Sequence, residues 1–270
     1  MGISGVGIGL RSAHLDDIAQ NLPLVPWFEC ITENLMGDKA LIQQKVKAIR
    51  QHYPLVLHGV GLSLGSADGL NQGYLVELKK LIESYEPAWI SDHLCWSQIG
   101  GKYVPDLLPL PYTPESIEIV SENILKTQNY LGMNIIIENI SQYIFFKESI
   151  ITECDFIQQI VQNTNCGILL DINNMYVTCK NLGLEPELYL DNMRGLKSAI
   201  KQFHLAGYTE SEGMLIDSHG SAVHEPVWAL FEKALQYFPN TPCLIEWDND
   251  LPNFKVLLNE AKKAESFYQK

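Results

Sequence analysis

Residues 113–139, TPESIEIVSENILKTQNYLGMNIIIEN, contain the structural unit from which the fold is predicted. Thr113 stands where a helix N-cap is expected, Pro114 takes the first helical position and Gly132 follows the last. Apolar residues recur between them at helical spacing: Ile117, Val120, Ile124 and Leu131. The run IIIE that follows lacks alternation, which is typical of a parallel strand buried on both faces. The stretch therefore predicts an amphipathic helix followed by a core strand.

The same alternation covers the whole chain. Apolar runs predict strands at 6–10, 27–31, 54–58, 88–92, 134–138, 167–171, 202–205 and 242–246. The stretches between and after them predict helices at 16–21, 39–52, 73–84, 114–131, 152–163, 185–200, 225–237 and 252–267. No GxGxxG motif follows the first strand, as a dinucleotide-binding open sheet would require. The pattern predicts the α/β class and a closed TIM (β/α)8 barrel, as a single domain over residues 1–270.

Composition narrows the expected partners and compartment. The 270 residues carry a net charge of −13, a poor match to nucleic acid, because phosphate binding needs clustered Lys and Arg. No apolar run is long enough to span a bilayer, and the start MGISGVGIGLRSAHLDD lacks the features of a secretory signal. The six cysteines form no CxxC pair. We therefore expect a cytoplasmic protein with reduced thiols that binds neither membrane nor nucleic acid.

Histidines and carboxylates gather where the predicted strands end. They are His58, Asp92, His93, Glu138, Asp171, His204 and Glu246, with Asp217 and His219 in the loop after the seventh strand. TIM barrels build their active sites at these C-terminal strand ends. One such residue alone is more often a hydrogen-bonded core residue, and a carboxylate could pair with Arg11 or Lys102. So many buried charges are costly without counter-ions, however, and few basic residues lie near these strand ends, so metal ions are the expected partners.

The kind of metal follows from the ligand types. Imidazole mixed with carboxylate suits iron, manganese, zinc or cobalt, and the lack of a cysteine ligand disfavours a structural zinc site. The donors are too many for one ion, so we expect two or three ions with a bridging carboxylate, best supplied by Glu138. Glu29 and Glu33, which end the second strand, would orient ligands or cap the following segment. The remaining histidines lie on or beside helices and are not expected to be ligands: His14, His52 and His224.

Seven motifs, in order, carry a resemblance to a known family. They are LHGVGLSLGS (57–66), SDHLCWS (91–97), IIIENIS (135–141), LLDINNMYV (169–177), FHLAGY (203–208), LIDSHGSAVHEPVW (215–228) and LIEWDNDLP (244–252). The chain resembles the multinuclear non-heme iron-dependent oxidases, a family that includes the methanobactin-biosynthesis oxidase. The resemblance implies a xylose-isomerase-like TIM barrel that binds two or three irons. It also implies the use of dioxygen to modify a residue, often cysteine, of a ribosomally made peptide, which a partner protein commonly presents.

The resemblance also implies a ligand set. His58, His93 and Glu138 would hold one iron, which Glu138 would bridge to a second iron held by Asp171, His204 and Glu246. A third position would use Asn174, Asp217 and His219. The catalytic candidates are Glu138 with Asp92 and Asp248, and the last two, with Asn139, would orient the ligands. Two positions depart from the family pattern: Asn174 stands where some members have histidine, and Tyr208 replaces the second histidine of HLAGH.

Three other functions remain open on the same barrel. A sugar isomerase or epimerase would use one or two manganese or magnesium ions, a Lys or His base, and no oxygen. An endonuclease IV-like hydrolase would use three zinc ions and a basic groove, which the net charge of −13 argues against. The third is a metal-binding partner without catalytic activity, against which the intact carboxylates Glu138, Asp171 and Glu246 speak.

Overall fold

Eight parallel strands close into a barrel in this computed structural model, which describes residues 3–269. The described residues form twelve strands, of which eight belong to the barrel and four form two separate hairpins. In chain order they are β1 (Val6–Leu10), β2 (Phe28–Ile31), β3 (Leu55–Gly59), β4 (Ile90–His93), β5 (Trp96–Ile99), β6 (Lys102–Leu108), β7 (Ile136–Glu138), β8 (Gly167–Asp171), β9 (Ile200–Leu205), β10 (Thr209–Ser211), β11 (Met214–Ile216) and β12 (Cys243–Ile245). The barrel runs β1-β2-β3-β4-β7-β8-β9-β12 and closes back on β1. The predicted TIM-barrel class is confirmed. Three residues of the predicted domain 1–270 lie outside the described part: Met1, Gly2 and Lys270.

Helices occupy the connections between the barrel strands. They are α1 (Leu15–Asn21), α2 (Ala40–Arg50), α3 (Gln72–Tyr85), α4 (Pro114–Leu131), α5 (Glu153–Thr164), α6 (Ile172–Leu182), α7 (Pro186–Asn192), α8 (Glu225–Tyr237) and α9 (Phe254–Phe267). Helix α4 has the predicted ends: the Thr113 hydroxyl accepts from the Ser116 amide at 3.2 Å, and Gly132 takes the left-handed conformation. That conformation costs glycine little, because glycine has no Cβ.

The structure differs from the sequence-based elements around β8 and β9. The predicted helix 185–200 is the shorter α7 followed by a 3₁₀ turn at Met193–Leu196, and its last residue opens β9. Helix α6 was not predicted, because Asn173 and Asn174 are poor helix formers. Capping starts this helix instead: Asp171 Oδ1 accepts from the Asn174 amide at 2.7 Å.

Two antiparallel hairpins, β5–β6 and β10–β11, were also not predicted. They follow the C-terminal ends of β4 and β9, so both emerge on the face of the barrel where the strand-end carboxylates lie. Their strands turn at Gly100 and Gly101 and at Glu212 and Gly213, all with positive φ, as tight hairpin turns require. Each hairpin inserts an exposed segment into what is otherwise a simple strand–helix alternation.

Two further observations concern the helices and the cysteines of the described chain. Between residues 3 and 269, no helix is both long enough and apolar enough to cross a membrane. All six cysteines are buried, and none is paired with another: Cys30, Cys95, Cys154, Cys166, Cys179 and Cys243.

Candidate metal centre

Three groups of potential metal ligands follow one another across the barrel mouth. The first is His58, His93 and Glu138, the second Glu138, Asp171, His204 and Glu246, and the third His219, Glu246 and Asp248. Within each group the ligand atoms lie within 4.8 Å of one another. Glu138 belongs to the first two groups and Glu246 to the last two. The groups are therefore linked by shared carboxylates.

The first group joins the ends of β3, β4 and β7. Nε2 of His58 and Nε2 of His93 lie 3.1 and 3.2 Å from the same oxygen, Oε2 of Glu138. The other ring nitrogens are held from behind, His58 Nδ1 at 2.8 Å from the Ser91 hydroxyl and His93 Nδ1 at 3.0 Å from the Gly59 carbonyl. Such second contacts fix the orientation of an imidazole that binds a metal through its free nitrogen.

The second group is built on β7, β8, β9 and the residue after β12. Nδ1 of His204 lies 2.9 Å from Glu246 Oε2, 3.4 Å from Glu138 Oε1 and 3.9 Å from Asp171 Oδ2. Glu138 therefore directs Oε2 to the first group and Oε1 to the second. This is the arrangement expected of a bridging carboxylate, the role that the sequence assigns to Glu138.

The third group differs from the set that the resemblance implies. His219 Nε2 lies 2.7 Å from Asp217 Oδ1, as expected, but its Nδ1 faces Asp248 at 3.1 Å and Glu246 at 3.4 Å. The amide of Asn174 is engaged elsewhere: its oxygen accepts from the Ser141 hydroxyl at 2.9 Å, and its nitrogen donates to the Asn139 carbonyl.

The asparagine that contacts Asp217 is instead the preceding one in the chain. The Asn173 amide nitrogen donates to Asp217 Oδ1 at 2.7 Å, and the Asn173 amide oxygen is buried without a hydrogen-bond partner. Nothing in the sequence favours Asn173 over Asn174, because neighbouring residues at a helix start differ only in the direction of their side chains.

Arg11, which the sequence offered as a possible partner of a strand-end carboxylate, lies beside two carboxylates of the third group. It follows β1, and its side chain is buried against Asp248, to which its Nε donates at 2.9 Å and its Nη2 also donates. Nη2 lies 3.6 Å from Glu246 Oε1. Gly9 leaves the room for this side chain, because a Cβ there would lie 2.8 Å from Arg11 Nη1. The carboxylates of the third group therefore have a fixed cation beside them, independent of any metal ion.

Asp92 does not join any of the three groups. Ser91 and His93 point into the mouth, so Asp92 between them points to the other face of β4. Its carboxylate accepts from the amides of Leu62 and His93 at 3.1 and 2.8 Å. Burial, with the nearby charge of Glu33, raises the pKa of Asp92 to about 8. This placement argues against a catalytic role for Asp92 and suits a role in holding the loop after β3.

Tyr208, the other departure from the family pattern, also lies away from the three groups. Its ring stacks on His224 with 4.0 Å between ring centroids, and on Tyr176 at 5.4 Å. His14 bonds the Pro252 carbonyl through Nε2 at 2.9 Å. His14 and His224, like Tyr208, are not members of the three groups.

A buried polar chain lies beneath the second group. Glu29 Oε2 lies 3.2 Å from His204 Nε2 and accepts from the Gln202 amide at 2.6 Å, and Gln202 in turn accepts from the Trp89 indole at 2.7 Å. Glu29, Gln202 and His204 are fully buried. Of these residues the sequence pointed to Glu29 as a possible partner of the ligands, whereas Gln202 carried no signal because it lies inside a predicted strand.

The pKa values of the clustered groups show that the carboxylates stabilise positive charge in the barrel mouth. Burial lowers the pKa of His58, but the charges of Glu138 and Glu29 raise it by more, so that the pKa of His58 is about 9. Burial likewise lowers the pKa of His204, yet Glu29, Glu246 and Glu138 hold it well above its ordinary value. Burial raises the pKa of Glu138, and the three imidazoles around it still bring it well below normal. The carboxylates therefore favour cations strongly in this mouth.

The donor atoms fit metal ions. Four buried atoms of the cluster have no hydrogen-bond partner: Glu138 Oε2, Asp171 Oδ2, His204 Nδ1 and His219 Nε2. Several of these atoms lie close to another potential ligand atom but do not form a hydrogen bond with it. Two atoms that bind the same metal ion have this arrangement. Unpaired buried polar atoms are rare in folded proteins and call for an explanation. Imidazole and carboxylate ligands suit iron, manganese or zinc, so the residues fit a metal centre of two or more ions.

Nearly the whole chain matches a known protein family. The profile described as RiPP precursor modification enzyme MbnB/TglH/ChrH covers residues 5–269. The chain belongs to this family. The family predicted from the seven motifs is thereby confirmed. A UPF0276 protein of Acaryochloris marina (strain MBIC 11017) is 45% identical over 265 residues, which cover 98% of this chain and 95% of that protein. A UPF0276 protein of Anaeromyxobacter sp. (strain Fw109-5) is 41% identical, with coverage of 96% and 91%.

Solved structures share the barrel at low sequence identity. D-psicose 3-epimerase from Clostridium cellulolyticum H10 superposes with a TM-score of 0.62 at 13% identity, over 98% of both chains. Endonuclease IV from Thermus thermophilus gives a TM-score of 0.60 at 13% identity, over 96% of this chain and 99% of that one. Likeness at this identity shows the fold alone. The fold of this family member is therefore the predicted xylose-isomerase-like TIM barrel.

Proposed function

We propose that this protein is an iron-dependent oxidase that uses dioxygen to modify a residue, most simply a cysteine, of a ribosomally made peptide. The observation that carries the proposal is Glu138, whose two oxygens face two separate ligand groups. This arrangement suits a pair of ions that act together, and membership in a family of RiPP precursor modification enzymes supports a peptide substrate. The six buried, unpaired cysteines support work in a reducing compartment, the cytoplasm.

The residues present assign the ions as follows. His58, His93 and Glu138 would hold one iron, and Glu138, Asp171, His204 and Glu246 would hold the other. Bound iron supplies the one-electron chemistry with which dioxygen, the co-substrate, can accept electrons from a side chain. The protein's part is to hold its imidazoles and carboxylates in place through partners such as Ser91 and Glu29.

The third group takes a different part in the proposal. Asp217, His219, Glu246 and Asp248 would form a weaker third position, because Arg11 already neutralises part of their charge. A guanidinium stays protonated at working pH, so Arg11 cannot serve as a base. It can hold Asp248 in a fixed orientation at the rim of the mouth, where a substrate would enter. We therefore propose two firmly held irons and one further position of lower affinity.

The test begins with protein purified without oxygen. Metal analysis and Mössbauer spectra would count the irons, which we expect at two or more per chain. The iron-loaded protein would then be mixed with each short cysteine-containing peptide found to be encoded near its gene, with and without any partner protein found there. Oxygen uptake and a mass change on one cysteine of the peptide would support the oxidase. Zinc alone without iron uptake, or no oxygen consumption with any such peptide, would overturn it.

A pair of matched variants ties the result to the bridge. Glu138→Gln removes the shared charge, and we expect it to lose at least one iron per chain and the oxygen uptake. Glu33→Gln is the control, because Glu33 bonds the Val60 amide and the Tyr74 hydroxyl outside the three groups. The rival functions separate in the same assays. An epimerase would convert ketoses with manganese and no oxygen, and a hydrolase would cleave a phosphodiester with zinc.

A further inference from the structure

A cavity lies apart from the metal centre, between α5, α6, α7 and the loop after β7. Its volume is about 280 Å³, close to the lower limit of small-ligand sites, which suits one long side chain rather than an organic cofactor. Its walls are mainly apolar: Phe145, Ile151, Leu182, Leu184 and Leu188 line it together with the rings of Tyr112 and Tyr189.

The polar lining of this cavity is acidic without a counter-charge. Glu153 and Glu185 line it, and its lining includes no Lys, Arg or His. Glu153 opens α5. Burial raises the pKa of Glu153 to about 7, although the nearby polar side chains of Tyr112, Tyr189 and Gln142 lower it. A carboxylate in such surroundings is stabilised most by a cation that enters the cavity with it.

The mouth of the cavity exposes apolar side chains that the folded chain leaves uncovered. Phe145 is 62% exposed, Leu188 59% and Leu184 48%. All three belong to the cavity lining. Large exposed apolar groups gathered at a concave site mark a binding surface more often than isolated ones do. Apolar walls that lead to a carboxylate match an alkyl chain that ends in an ammonium group, as in lysine.

The cavity is connected to the metal centre through one helix and one loop. Helix α6 starts next to Asp171 of the second ligand group and ends at Leu182 of the cavity, a distance of about 16 Å for its eleven residues. The loop after Glu138 contacts this helix: the backbone amide of Gln142 donates to the Thr178 hydroxyl of α6 at 2.9 Å. An extended peptide covers about 16 Å in about five residues.

We propose that this cavity binds a lysine side chain of the peptide substrate, about five residues from the residue that is modified. The alkyl stem would lie against Phe145, Leu184 and Leu188, and the ammonium group would pair with Glu153. The occupant is a peptide only because the function proposed above is peptide modification. The affinity of the cavity for an alkylammonium group does not depend on that function.

The first test therefore uses n-pentylamine as the probe, with the protein as purified, at pH 8. Calorimetry should show saturable binding of pentylamine that is at least tenfold tighter than that of pentan-1-ol or pentanoate. Glu153→Gln should weaken it at least tenfold. Glu187→Gln is the matched control, because Glu187 lies on α7 outside the cavity and pairs with Lys233. Equal binding of amine and alcohol, or unchanged binding in Glu153→Gln, would overturn the proposal.

The second test uses the peptide that the oxygen-uptake assay identifies as a substrate, with each lysine replaced in turn by norleucine. One replacement should raise KM about tenfold with kcat unchanged, because it removes binding rather than chemistry. The same replacement should have no effect in the Glu153→Gln protein. If no lysine affects KM, the lysine assignment is wrong. A protein that binds pentylamine but takes up no iron would refute the proposed oxidase and leave this site standing, so the two failures are distinguishable.

Discussion

Glu29 on β2 places Oε2 3.2 Å from Nε2 of His204, while Nδ1 of the same imidazole lies 2.9 Å from Glu246 in the mouth. The ring is thus held between a carboxylate beneath it and the ligand groups above it. A proton on Nε2, shared with Glu29, leaves the Nδ1 lone pair free for an ion. Strand β2 contributes no member of the three groups, and it contacts them through Glu29, which holds the His204 ring.

Replacing Glu29 by Gln should weaken metal binding without unfolding the barrel. Gln keeps the size and one oxygen but loses the charge that orients and polarises His204. Partners of this kind contribute about 10–100-fold to metal affinity. Titration of metal-free protein with Co²⁺, followed by visible absorption, would measure the change. Glu33→Gln is the control and should bind as the natural protein does; equal affinity of the two variants would refute the role given to Glu29.

Replacing Arg11 by Met should destabilise the metal-free protein more than the metal-loaded one. The change removes the fixed cation from Glu246, which is buried, and from Asp248, whose side chain is 34% exposed. We expect a loss on the order of 3 kcal/mol, mainly from Glu246, because a buried carboxylate that loses its partner costs about that much. A bound ion can take over that charge. Urea unfolding with and without added metal would show the difference. A loss of the same size in both states would mean that Arg11 acts only through packing.

Replacing Gly207 by Ala should destabilise the fold by about 1–3 kcal/mol, as overpacked core sites do. A Cβ at Gly207 would lie 2.7 Å from the Ala222 carbonyl oxygen and would also collide with Ser221. Backbone atoms cannot move aside as a flexible side chain can. Gly195→Ala is the control, since a Cβ there meets nothing within 4 Å. Chemical denaturation of both variants measures the effect, and similar midpoints would contradict the close approach seen at Gly207.

Glu153 should make stability fall as the pH rises through neutrality. Its pKa is raised by burial to about 7, above the value of about 4.5 for a free side chain, so the folded state favours the protonated form. Stability from this group is therefore complete below about pH 4.5 and is lost as the pH rises through about 7. The free energy of unfolding of Glu153→Gln should fall less between pH 5 and 8 than that of the natural protein. Parallel pH profiles for the two proteins would show that Glu153 titrates normally.

The sequence by itself determined the architecture of the protein. The alternation of short apolar runs and amphipathic stretches, as in 113–139, requires parallel strands covered by helices, and eight repeats close a barrel. Most members of the three groups were also identified from the sequence, because the end of each strand can be read from its apolar run. The hairpin β10–β11 and helix α6 did not follow, since tight turns and side-chain caps override weak local propensity there.

Only the tertiary structure decided which side chains meet. Two neighbours in sequence, Asn173 and Asn174, point to different partners, and Asp92 turns away from the mouth that His93 enters. Arg11, which follows the first barrel strand, lies beside Asp248, which follows the last one, because the barrel closes β1 onto β12. Direction and closure depend on the packed barrel as a whole. A residue's type and its place along a strand therefore indicate that it can be a metal ligand. The packing determines whether its side chain points to the candidate metal site.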